Sequence, residues 1–482
     1  MKWRMPWGVP AIAAAKVAVL LGLIRFGFHR DELYFITASK HLSPSYVDFQ
    51  PVIPLLVRGE RALFGDSLLG LRLIPALAGA AAVFLAALIA RELGGSRRAE
   101  IFAAFTATIV PLLLGMGTTL NTVCLETPAW MLVVYIVARL LRTGNKRLWV
   151  ALGFAISFGL LVKFTELAYL AGLAVAVFAS PLRKDFRTVW PWLGGVVIAA
   201  ALAPSIAWQA SHHWAVVEFV RHQGTGGRVL GLGGRAGFLA SLAILPGPVA
   251  LWVWVPGFRQ LWRDATFRLL AVTHGIAFLV FLAASGKGYY AAPGIAVLLA
   301  AGARALDAKP KKVLSIALAF NVLPLAALGP ALPLSVLRSS KDLAQATEMS
   351  ERIGWEDMAL TVKRVYDALP PDDRRRTVVL GSNYTIPSVI DFYAKRFGLP
   401  PAGSGHNSAY LWKPNAAADH VAIMVGFDEA QVRRLYRDAT RVATIRNRQG
   451  VHGYDWGDLV FVARRPKLSW DAEWRALKVF TA

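Results

Sequence analysis

The sequence predicts a polytopic α-helical membrane protein that carries a C-terminal extracytoplasmic α/β domain. Three observations predict it. Of 482 residues, 56% are hydrophobic and 17% charged, with a mean hydropathy of +0.47, which is outside the range of soluble globular chains. Apolar runs of membrane length alternate with short loops, and alternate loops are basic. From about residue 335 the texture becomes that of a soluble domain.

Met1-Lys2-Trp3-Arg4 leads into an apolar run too long for a signal-peptide core, so it reads as a retained first helix. Counting such runs gives about eleven spans, near 8–28, 68–90, 99–118, 127–141, 147–162, 165–181, 189–209, 236–255, 269–285, 289–306 and 312–334. One set of loops carries Arg91, Arg97 and Arg98; Arg139, Arg142, Lys146 and Arg147; Arg183, Lys184 and Arg187; Arg259, Arg263 and Arg268; and Arg304, Lys309, Lys311 and Lys312. The positive-inside rule makes that side cytoplasmic, together with the N-terminus, and an odd span count sends the C-terminal domain outside. The expected location is the plasma (inner) membrane. The same loops account for most of the net charge of +23, so nucleic acid is not an expected partner. A single cysteine, Cys124, excludes an intrachain disulfide.

The expected boundaries are 1–334 for the membrane domain, with a first extracytoplasmic loop at about 29–67, and 335–482 for the soluble domain. In the latter, 377–380, 421–425 and 458–462 read as strands and 355–368, 386–397 and 428–438 as helices. Alternating strands and helices suggest a small α/β domain.

The chemistry-bearing groups fall on the face opposite the basic loops. In His29-Arg30-Asp31-Glu32-Leu33-Tyr34, adjacent carboxylates follow the first run. Carboxylates there either cap a helix or supply a general base; in the second case one does the chemistry and the other buttresses it. Glu126, in Asn121-Thr122-Val123-Cys124-Leu125-Glu126-Thr127-Pro128, is a second acid with the same two readings. Asp31 and Glu126 are compatible with a divalent metal ion without requiring one. Lys163, and Lys287 in Gly286-Lys287-Gly288-Tyr289-Tyr290, end apolar runs on the side where cations are disfavoured. They either snorkel or meet an anion such as a phosphate. Tyr289 and Tyr290 are belt residues or substrate contacts. The loop from His212 and His213 to Arg235 contains Gly224-Thr225-Gly226-Gly227, without the ending of a nucleotide-binding loop.

These residues carry a resemblance. Asp31-Glu32, Tyr46-Val47-Asp48-Phe49-Gln50-Pro51, Leu71-Arg72-Leu73-Ile74-Pro75, Trp208-Gln209 with His213-Trp214 and Glu218-Phe219, Gly286-Lys287-Gly288-Tyr289-Tyr290 and Ser404-Gly405-His406-Asn407-Ser408 together resemble bacterial members of glycosyltransferase family 39. That family includes protein O-mannosyltransferases and the transferase that adds aminoarabinose to lipid A. The resemblance implies a C-type glycosyltransferase fold and transfer of a hexosyl or pentosyl unit from a polyprenyl-phosphate carrier to an extracytoplasmic glycolipid, envelope glycan or protein. It implies an inverting reaction with Asp31 as base, and Glu32 and Glu126 as further catalytic candidates. Tyr34, Asp48, Arg58, Lys163, His213, Lys287, Tyr289 and Tyr290 are the expected substrate-binding set. Where relatives often carry a lysine near the proline of the first loop, this chain has Gln50-Pro51, so Arg58 or Lys287 would meet the phosphate. The competing classes are a secondary transporter, which should show an inverted repeat and charges at span centres, and a non-catalytic lipid-binding scaffold.

Overall fold

A computed structural model describes residues 5–222, 232–308, 312–320, 332–346 and 349–481. The chain divides into two compact units that interleave along the sequence. The first comprises Met1–Ile24, Leu69–Trp208 and Thr225–Ala327; the second comprises Arg25–Leu68, Gln209–Gly224 and Leu328–Ala482. The first loop is therefore compact with the C-terminal residues, a division the apolar runs alone do not draw.

The first unit is helical. Leu68–Glu92, Thr122–Thr143 and Val189–Ser211 are long and apolar enough to cross a membrane, and three bent pairs raise that number to six if each pair is one span. Shorter apolar helices cover Gly8–Gly22, Leu148–Val162 and Arg268–Ala283. Length and composition thus support three to six spans among the described residues, short of the expected count of about eleven, and residues 321–331 of the expected run 312–334 lie outside them. The bends have local causes. The run expected at 236–255 breaks between Gly234–Ile244 and Pro248–Arg263 with an 80° turn, where Gly247 takes φ 81° between two prolines that cannot continue a helix.

The run at 99–118 bends by 66° after Arg97–Ile109. Pro111 has no N–H to give the carbonyl of Ala107, four residues back. The buried ammonium of Lys16 donates to that carbonyl at 2.7 Å. A charged side chain inside an apolar helix is thus used to satisfy a backbone group that proline left open.

Packing rests on small residues. Leu251–Arg263 and Ala292–Ala305 cross at Gly257 and Gly302, where an added Cβ would lie 2.0 Å from the carbonyl oxygens of Leu298 and Val253 respectively. Such backbone approach is how helices associate without a hydrophobic drive between them. Val189–Ser211, by contrast, leaves Trp192 and Val196 each 63% exposed, as a lipid-facing helix would.

In the second unit a five-stranded sheet has the order β2-β1-β3-β5-β4, with β1 Thr377–Gly381, β2 Ala402–Ser404, β3 Val421–Val425, β4 Tyr436–Thr444 and β5 Leu459–Pro466. β1 pairs parallel with β2 and β3; β5 runs antiparallel to β3 and β4. Every residue of β1 and β3 is buried, which their continuous apolar sequences anticipate. The expected helix at 428–438 is corrected: Glu429–Leu435 is helical, after an Asp428–Gln431 capping box, and the chain then continues as β4. β2, three residues long, has too little pattern to read.

Candidate active site

The second unit places Asp31 at the carboxyl ends of the parallel strands. Helix Arg30–Lys40 starts at His29, whose Nδ1 accepts the N–H of Asp31 at 3.2 Å while the Glu32 carboxylate accepts the N–H of His29 at 2.7 Å. The adjacent acids therefore part company. Glu32 is fully buried and turned back on the helix start, the capping half of the two readings. Asp31 points outward, its side chain 32% exposed, and its Oδ1 accepts a hydrogen bond of 2.8 Å from the Tyr384 hydroxyl. Arg30 lies 3.8 Å from the same oxygen and 3.1 Å from Glu351, which also pairs with His29 at 2.9 Å.

Tyr384 stands in the loop after β1, and His406 and Ser408 follow β2. Ligand sites of open α/β sheets form at that edge. The Tyr384 ring is stacked on Tyr34 at 4.1 Å and on His406 at 5.3 Å, so its hydroxyl is held in place. Burial, reinforced by the Asp31 charge, keeps that phenol protonated well above its usual range. It is a permanent donor to Asp31.

Tyr34 and Asp48 come together here but are committed to one another. The Asp48 Oδ1 accepts from the Tyr34 hydroxyl at 3.1 Å and from the Ser408 hydroxyl at 2.6 Å, and the Ser408 N–H donates to the Tyr34 oxygen at 2.9 Å. This knot fastens the first loop to the turn after β2, where Asn407 takes φ 51°. Burial outweighs these hydrogen bonds and pushes the Asp48 carboxyl up to about 6.

Arg58 lies on helix Val52–Phe64 and donates to the Ser39 carbonyl at 3.2 Å. Leu55, Leu56, Leu63 and Phe64 of that helix are exposed, an apolar face suited to a lipid interface. His213 is exposed in a turn where it and Trp214 take φ 54° and 56°. Gln209 anchors that turn, donating to Ser45 at 2.9 Å and to the Tyr46 carbonyl at 2.8 Å.

The first unit holds five other candidates. Glu126, fully buried in the first turns of Thr122–Thr143, pairs with Lys163 at 3.1 Å and accepts a short hydrogen bond from the Thr165 hydroxyl. The Lys163 ammonium lies 5.0 Å and 4.9 Å from the ring centroids of Tyr289 and Tyr290, a cation–π cage. Lys287 is half-buried just before the turn Gly288–Ala291. The Gly224–Gly227 stretch lies outside the described residues.

Neither acid fits a divalent metal ion. Lys163 already occupies the cation position beside Glu126, Asp31 is flanked by Arg30 and a hydroxyl donor, and among the described residues no three His, Cys, Asp or Glu side chains cluster as ligands. Sequence reasoning missed Tyr384, Ser408 and Thr165 as partners of the acids. Ser408 stood in a recognised stretch, whereas nothing local marks Tyr384, whose role depends on a fold contact across more than three hundred residues.

Comparison with known proteins agrees with this architecture. Residues 48–208 match the model of the dolichyl-phosphate-mannose-protein mannosyltransferase family. No curated protein sequence matches the chain. The crystal structure of ArnT from Cupriavidus metallidurans bound to undecaprenyl phosphate is similar with a TM-score of 0.60 at 14% identity, over 94% of this chain and 97% of that one. Its apo form is similar with a TM-score of 0.61 at 14% identity and the same coverage. The Archaeoglobus fulgidus oligosaccharyltransferase tethered to an acceptor peptide gives 0.50 at 14% identity, over 81% and 64%. The chain thus has the fold of the C-type membrane glycosyltransferases, largely helical with a C-terminal sheet domain. The resemblance to glycosyltransferase family 39 read from the sequence is borne out.

Proposed function

We propose that the protein is an integral-membrane glycosyltransferase that moves a sugar from a polyprenyl-phosphate carrier to an acceptor hydroxyl outside the cytoplasm. The observation that carries this reading is the Asp31 carboxylate, part-exposed at the strand ends and fixed by a buried Tyr384 hydroxyl, on a fold similar to that of a transferase bound to undecaprenyl phosphate.

In this reading Asp31 takes the proton of the acceptor hydroxyl as its oxygen attacks the anomeric carbon. The bond from that carbon to the phosphate oxygen breaks on the opposite face, which inverts the configuration, and polyprenyl phosphate leaves with the electron pair. Fixed cations in a poorly hydrated groove stabilise the departing charge. Arg58, in the same compact unit as Asp31, is the residue proposed for this. Lys163 acts as half of a pair with Glu126, which weakens it as a phosphate ligand. The apolar face of Val52–Phe64 would rest on the bilayer surface and keep the Asp31 loop near the lipid phosphate. Nucleotide sugars are confined to the cytoplasm, so a reaction outside needs a lipid-delivered donor. The acceptor is a glycolipid, an envelope glycan or a protein.

The test compares wild type with Asp31→Asn on a panel of polyprenyl-phosphate sugars, with membrane extract as acceptor, and follows free lipid phosphate by mass spectrometry. Wild type should release it from one donor, and the variant should be slower by at least about a hundredfold while remaining folded. Equal release from the variant would remove Asp31 from the mechanism.

A further inference from the structure

In the second unit a cleft of about 290 Å³ opens beside the last turns of helix Arg30–Lys40, against helix Thr385–Phe397 and the Leu399–Gly403 segment. Thr37, on its wall, lies six residues along the helix from Asp31, about 9 Å at the α-helical rise. The floor is apolar, made by Leu399, Pro400 and the Trp412 indole, and the His41 ring lies parallel to that indole at 5.1 Å.

One carboxylate commands the polar side. The Asp391 Oδ2 accepts from Lys40 at 2.5 Å and from the Thr37 hydroxyl at 3.2 Å. Its Oδ1 has no hydrogen bond among the described residues, and the side chain is 37% exposed. The carboxylate repels an anion such as phosphate, and the Lys40 ammonium neutralises the pull on an amine. A neutral polyol suits both: its hydroxyls donate to Oδ1, while its C–H face lies on the proline and indole surface. The volume admits about one pyranose ring, at the lower end of small-ligand sites. An extended peptide is disfavoured because the backbone just past β2 is already bonded to Val479 through Gly405 and Asn407, both at 2.9 Å.

We infer that this cleft binds a neutral sugar unit, and that it serves the acceptor glycan; the second clause rests on the transferase reading. The site is separate from the carboxylate proposed as base and lies on the same helix. Two features of one rigid element would thus set the spacing between the recognised sugar and the reacting hydroxyl.

The experiment is saturation-transfer difference NMR on the full chain in detergent, without donor, with methyl glycosides of glucose, galactose, mannose and arabinose as probes. At least one should show saturation of its ring protons in wild type. That saturation should fall at least about fivefold in Asp391→Ala and about threefold in the milder Thr37→Val, and persist in Asp31→Asn. No saturation in wild type, or equal saturation in both cleft variants, overturns the inference. Lipid-phosphate release by the same preparations reports separately on the transferase reading, so failure of one is told from failure of the other.

Discussion

Asp31 and Glu126 are both acids placed near the ends of apolar runs, and the two compact units treat them in opposite ways. Glu126 is sealed: no exposed surface, an ammonium at 3.1 Å and a hydroxyl on its other oxygen. Asp31 is half-open, with one oxygen held by a phenol at 2.8 Å and its arginine neighbour at 3.8 Å. A carboxylate neutralised at contact distance in a buried site is costly to disturb and slow to exchange protons. One oriented by a neutral donor keeps its charge and an oxygen for a partner. The difference separates a residue that holds helices together from one that is available to react.

The sharpest way to break this contrast is to strand Glu126. Lys163→Met leaves a buried carboxylate with only a hydroxyl partner and should destabilise the first unit by about 3 kcal/mol. Glu126→Gln combined with Lys163→Met should recover most of that, because the pair is removed together. Thermal unfolding in detergent, run as a double-mutant cycle, reads the coupling. Additive losses would mean that Lys163 and Glu126 do not sense each other and that Lys163 is free for a phosphate.

Why one acid could be singled out from sequence and the other only half understood follows from where their partners lie. The Asp31-Glu32 pair was legible because charge directly after a membrane-length run is expensive. That Glu32 is the cap and Asp31 the outward group follows from the helix start at His29, which the residue types allow but do not decide. The apolar runs were legible as runs, but the bends at Pro111 and Gly247 were not, since a local break leaves mean hydropathy unchanged. β1 and β3 showed as continuous apolar stretches, while β4 did not: in Tyr436–Thr444 a charged, half-exposed edge strand reads as the tail of the preceding helix. The Asp31–Tyr384 bond spans two distant segments, so no window on the sequence contains it.

A smaller effect tests the neutral donor. Tyr384→Phe keeps the ring stacked between Tyr34 and His406 and deletes only the hydroxyl that holds Asp31. If the phenol orients the base, the bound-state rate of sugar transfer should fall about tenfold, near 1.4 kcal/mol, with the apparent donor affinity unchanged. An unchanged bound-state rate with a weakened donor affinity would make Tyr384 a substrate contact instead.

The smallest expected effect concerns the knot that fastens the first loop. Asp48 has its carboxyl raised to about 6 by burial, above the unfolded value of about 4. Between those two values the native state therefore holds more protons than the unfolded one, and stability falls as pH rises through this window. Asp48→Asn mimics the neutral form and keeps an acceptor for Ser408 and Tyr34. Its melting midpoint relative to wild type should be lowest near pH 4 and should climb until about pH 7, then level off. Working with the difference cancels titrations common to both proteins, including that of Asp458, whose carboxyl burial also pushes up, to about 7. A difference that does not change with pH would mean that the knot pays nothing to ionise, and that Asp48 is free to serve the substrate rather than the loop.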